Sequence, residues 1–179
     1  MEKIVASNDL LMERITNDMQ RLFEEARKEI TDFSLAEGET MICSLYEYPA
    51  IVGQPYQMVL ILDQHNKMRF SSRSWDRTYD LIRWKEGIYN LDRLRILEKD
   101  MLLIESQTKK LRTELEKIAT KNLPQSLEKE GALVLDGSEW RLHINWNKLE
   151  LNYEWKASNE GLAIFLPLIE SLLSIAKQA

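Results

Sequence analysis

Hydrophobic spacing along the chain changes period several times, and each change predicts an element. Leu11, Ile15, Met19, Leu22, Phe23, Ala26, Ile30 and Phe33 recur at helical spacing, with Arg14, Arg21, Glu24 and Arg27 on the opposite face, after an N-cap expected at Ser7 or Asn8. Met41 to Tyr48 then reads as a strand, and Pro49, Gly53 and Pro55 mark a loop. Met58-Val59-Leu60-Ile61-Leu62 is apolar on both faces, the pattern of a strand covered on both sides. After an Asp63–Asn66 turn, Lys67 to Trp75 places Met68, Phe70 and Ser72 on one face. Arg69, Ser71, Arg73 and Trp75 take the other. Asp76 or Thr78 is placed to cap a short helix from Arg77 to Lys85, which Gly87 ends.

The longest periodic stretch follows. Leu94, Leu97, Met101, Ile104, Thr108, Leu111, Leu115 and Ile118 alternate at spacings of three and four, a heptad seam that predicts one central helix over 90–121. Antiparallel pairing with the first helix would cover that seam, and a second copy of the chain is the alternative cover. Beyond Pro124, Leu133-Val134-Leu135 precedes Asp136-Gly137, a hairpin signal. Trp140, Leu142, Ile144 and Trp146 then alternate with Arg141, His143 and Asn145. Asn147-Lys148 turns the chain into Leu149, Leu151, Tyr153 and Trp155, with Glu150, Asn152 and Glu154 facing outward. Ser158 is positioned to cap a last helix, and Pro167 inside its pattern predicts a kink or a late start.

This order implies an α+β fold in one domain, 1–179: two groups of about three antiparallel strands against long helices, joined by the central helix. Asn66-Lys67-Met68 with Trp75 echoes Asn147-Lys148-Leu149 with Trp155, the outline of a pseudo-repeat of halves 36–88 and 131–179.

Composition narrows the function. The 179 residues are 44% hydrophobic and 30% charged, as in a globular chain that can bury one substantial core. A formal net charge of −5 argues against a general nucleic-acid binder. Cys43 is the single cysteine, which excludes an intrachain disulfide and points to a reducing, cytoplasmic compartment. No apolar run reaches the roughly 20 residues of a membrane span, and no signal peptide is legible.

Catalytic chemistry finds little support. His65 falls in a turn and His143 on a polar strand face, without zinc-ligand spacing. Cys43 has apolar neighbours, and Asp76 and Asp80 fit capping roles better than acid–base work. Six unclustered glycines form no phosphate-binding loop. The reading is therefore of a protein that is not an enzyme and uses no cofactor or metal.

Two faces stand out as partner-binding candidates. Lys67 to Arg95 holds eight basic residues against four acidic ones in an acidic chain. Within it Arg69, Arg73, Trp75, Arg77, Tyr79 and Trp84 combine arginine with aromatic rings, the chemistry of interface hot spots and also of phosphate binding. The second face is the outward side of the last strands, with Arg141, His143, Glu150 and Glu154. A small, acidic, cofactor-free chain with a charged and aromatic face resembles bacterial immunity proteins in general character, though no family motif carries the likeness. It implies a protein partner, such as a toxin domain, neutralised by occlusion. The alternative is a homodimeric or nucleic-acid-associated regulator that dimerises through the seam and meets phosphates with the basic segment.

Overall fold

The computed structural model describes residues 2–49, 53–87, 94–124, 137–156 and 160–178, with side chains from residue 17 in the first segment and from 162 in the last. Four helices and six strands follow in the order α1 (Glu2–Thr31), β1 (Thr40–Tyr48), β2 (Tyr56–Leu62), β3 (Met68–Trp75), α2 (Arg77–Lys85), β4 (Ile96–Leu102), α3 (Glu105–Ala119), β5 (Glu139–Trp146), β6 (Leu149–Trp155) and α4 (Leu166–Lys177). The class is α+β, but the strands form one antiparallel sheet and not two groups. Its order is β4-β3-β2-β1-β5-β6.

The central helix expected over 90–121 is not present. Residues 90–93 lie outside the described residues; among the rest of the span, the first half contains β4, paired with β3 from Trp75↔Ile96 to Arg69↔Leu102, and only Glu105–Ala119 is helical. Leu94, Leu97, Met101 and Ile104 have heptad spacing, but Met101 lies opposite Phe70 in the sheet. Gln107 Oε1 accepts from the Ile104 backbone N–H at 3.1 Å, which marks where the helix starts.

Each face of the sheet has its own cover. On one, Cys43, Leu45, Met58, Leu60, Met68, Phe70, Leu142 and Ile144 pack under Leu111, Leu115 and Ile118 of α3 and Leu168, Leu172 and Ile175 of α4. On the other, Leu22, Ala26 and Ile30 of α1 cover Tyr46, Tyr48 and Trp75. The expected pairing of α1 with the heptad helix is thus replaced: the sheet separates α1 from α3, and α3 runs beside α4. The double cover of β2 explains its continuous apolar run. Of the long helices expected, only α1 exceeds 15 residues; it is already helical at Glu2, ahead of the anticipated cap at Ser7 or Asn8.

Local signals explain most boundaries. Asp76 accepts from the Tyr79 N–H and caps α2. Asp63 Oδ1 accepts from the backbone N–H groups of His65 and Lys67, closing the β2–β3 turn with Asn66 at φ 59°. Pro167 sits in the first turn of α4, the late start expected. The anticipated strand 133–135, its Asp136-Gly137 hairpin and the Ser158 cap lie outside the described residues. β5 pairs with β1 on one side and β6 on the other. Among the described residues no helix is long and apolar enough to cross a membrane.

Candidate functional site

The two candidate faces fare differently. In the basic segment, Arg69 grips the Glu39 carboxylate through Nη2 at 2.7 and 2.9 Å and Nε at 3.1 Å, and also pairs with Asp100. The Ala36 N–H, and then Arg69, hold the Glu39 carboxyl below the usual range. Arg73 pairs with Glu98 at 3.0 Å, donates to the carbonyls of Glu29 and Asp32 at the end of α1, and lies 5.2 Å from the Phe33 ring. That is a charged cap on a helix C-terminus. Trp75 is fully buried and meets Phe23 edge-on at 5.4 Å. Arg77 is buried too, donating to the Pro49 carbonyl at 2.7 Å beneath the rings of Phe23, Tyr48 and Trp75. These four side chains hold α1, β3 and the segment at Pro49 together.

Tyr79 remains exposed, with Arg95 4.5 Å and Arg83 5.5 Å from its ring, and Trp84 is half-buried on α2. So sequence correctly sets Arg69, Arg73 and Trp75 on one side of β3, but that side faces α1 and the acids of β4.

The face of β5 and β6 opposite α3 and α4 is different. Strand alternation sends Leu142 and Ile144 into the core and turns Arg141, His143 and Asn145 the other way. Cross-strand pairs then order the polar surface: Arg141 stands opposite Glu154, His143 opposite Asn152 and Asn145 opposite Glu150. Arg141 Nε is 3.5 Å from Glu154, and His143 Nδ1 is 2.8 Å from Asn152 Oδ1. The described part of α1 packs over β1 and β3 and leaves Arg141, Asn145, Glu150, Asn152 and Glu154 exposed.

Between that surface and α1 runs a groove of about 450 Å³, lined by Thr31, Tyr46, Gln57, Arg141, His143 and Asn152 among others. At its side Glu139 joins two elements, taking Arg27 of α1 at 3.0 Å on one oxygen and Arg141 of β5 at 2.7 Å on the other. Arg27 lies 4.7 Å from the Tyr48 ring and Arg141 5.4 Å from the Tyr46 ring. The Tyr46 hydroxyl is buried and has no hydrogen-bond partner among the described residues. Burial pushes its pKa up to about 12, with Arg27 and Arg141 pulling the other way. A second recess of about 480 Å³ adjoins α1 at Met19, Phe23, Arg27 and Tyr48.

Of the residues picked from sequence, the structure thus brings Arg141, His143 and Glu154 to one groove, and Glu150 to the same face. Tyr46, Gln57, Arg27 and Glu139 were not among them. The alternation of Cys43 and Leu45 against Ser44, Tyr46 and Tyr48 in β1 is the signal that carries the tyrosines. No local signal links them to β5. The remaining chemistry is dispersed: Cys43 is buried in the apolar core, which pushes its thiol up to about 12, and His65 lies in the β2–β3 turn beside Gln64. Among the described residues no three His, Cys, Asp or Glu side chains converge as a metal site would require. No protein-family model matches the chain, and no curated protein matches it.

Proposed function

We propose that the chain is a non-catalytic protein-binding module of immunity type, whose partner, such as a toxin domain, docks on the open face of β5 and β6 and in the groove beside α1. One observation carries this reading: α3 and α4 roof one side of the sheet, while among the described residues α1 covers only part of the other and leaves Arg141, Asn145, Asn152 and Glu154 exposed. The surface left open is rigid, because Arg141, His143 and Asn152 all stand on paired strands. Arginine on a rigid element offers contact area at small entropic cost. The alternative regulator loses its footing. Arg69 and Arg73 are occupied by carboxylates, and the seam meant for dimerisation is interrupted by β4.

A photo-reactive side chain placed at Asn152, and another at Glu116 on α3 as control, tests this in native lysate of the source cell. A single stoichiometric protein crosslinked from position 152 and not from 116 is expected, and Arg141→Ala should raise its Kd by about tenfold or more. Crosslinking from neither position, or binding indifferent to Arg141→Ala, overturns the proposal.

A further inference from the structure

The sheet has two edges, and among the described residues no strand pairs with the outer side of one of them. β4 is its outermost strand on one side, seven residues paired to β3 in unbroken register. Among the described residues no backbone hydrogen bond reaches the outer edge of 97–102. Proteins ordinarily blunt such an edge with proline, a bulge, a very short strand or charged side chains, and of these β4 carries only the charges of Glu98, Lys99 and Asp100. β4 has no proline and no bulge. Its one lysine, Lys99, is turned onto the sheet face, donating to the carbonyls of Ile175 and Ala176 at the end of α4 at 2.8 and 3.3 Å. Leu97 and Leu102 remain 43% and 61% exposed, and Ile104 just beyond is 63% exposed.

Charge decides what fits there. Glu98 and Asp100 stand on one face of β4, each paired with a β3 arginine yet 61% and 51% exposed. A second copy adding its own β4 antiparallel would keep the faces of the two sheets aligned. In the full-length register Glu98 then faces Asp100, and one step either way sets Glu98 or Asp100 opposite itself, like charges directly opposite. An incoming strand with lysine or arginine at alternate positions meets two carboxylates instead, and its aliphatic positions lie against Leu97, the Lys99 stem and Met101.

We infer that β4 is a strand-addition site for an extended segment of a partner protein, alternately basic and aliphatic. The inference rests on the protein-binding reading but uses a different surface, so the two fail separately. Anisotropy of fluorescein-labelled Lys-Val-Lys-Val-Lys-Val-Lys with the full chain tests it. Saturable binding is expected, weakened about tenfold or more when alternate peptide amides are N-methylated, because strand addition depends on main-chain hydrogen bonds. The isosteric Glu98→Gln/Asp100→Asn variant should weaken binding similarly while keeping its thermal transition, and Arg141→Ala should leave it unchanged. Equal binding of the N-methylated peptide, or none by the parent peptide, overturns the inference. So does a dimer in sedimentation that Leu97→Lys abolishes, since a second copy would then be the occupant. Peptide binding that survives while crosslinking at Asn152 fails would sink only the β5–β6 reading.

Discussion

The Trp75 indole N–H donates to Asp80 Oδ2 at 2.9 Å, and the same oxygen accepts from the Arg95 backbone N–H at 2.8 Å. One buried carboxylate thereby ties the end of β3, helix α2 and the approach to β4, with Arg83 3.4 Å from its other oxygen. Removing it strands the buried Trp75 indole N–H and the partly buried Arg95 N–H, and takes an acidic partner from Arg83. Asp80→Ala should therefore cost about 3 kcal/mol, read from urea unfolding, which is within the range for breaking a buried charged network. A loss below about 0.5 kcal/mol would show that water replaces the carboxylate freely.

The β5–β6 hairpin predicts a change of opposite sign. Asn147 and Lys148 both have positive φ, 48° and 68°, as a two-residue turn matched to strand twist requires. Lysine in that region is strained, whereas glycine is not, though glycine adds freedom to the unfolded chain. Lys148→Gly should stabilise by about 0.5–1 kcal/mol, seen as a higher Tm in a calorimetric scan.

Cys43 is fully buried, and burial raises its thiol pKa to about 12. Iodoacetamide at pH 8 should leave it unmodified in the folded chain and alkylate it in 6 M guanidinium, as mass spectrometry would record. Rapid native alkylation would mean that β1 opens locally.

The Ala36 N–H, together with Arg69, keeps the Glu39 carboxyl below the ordinary carboxylate range. A lowered folded pKa contributes stability that is fully present above the unfolded value and fades as pH falls through the folded one. The stability gap between the native chain and Glu39→Gln should stay constant above about pH 5.5 and narrow below about pH 4.5. Urea midpoints across that range would show it; a gap independent of pH would place the effect in the lost geometry and not in the charge.

Much of this molecule could be read locally. The continuous apolar run of β2, the alternation of β5 and β6, the Asp76 cap and the Pro167 start each have a cause within a few residues. The failures share another cause. In β4 an exposed edge places no strict demand for alternation, so Ile96, Leu97, Met101 and Leu102 imitate helical spacing, and the heptad continues into the true helix α3. That error hid Glu98 and Asp100, the acids that occupy Arg73 and Arg69, and made the arginines look available. The groove also depends on β5 lying beside β1, a pairing that no local pattern announces.

That last pairing has a kinetic consequence. β1 to β4 can zip as successive neighbours, but Cys43 meets Ile144 only after roughly a hundred intervening residues are drawn into a loop. Joining the hairpin to the meander should then be the slow event of refolding, and substitutions along that seam should alter the rate of refolding more than those in β3 or β4.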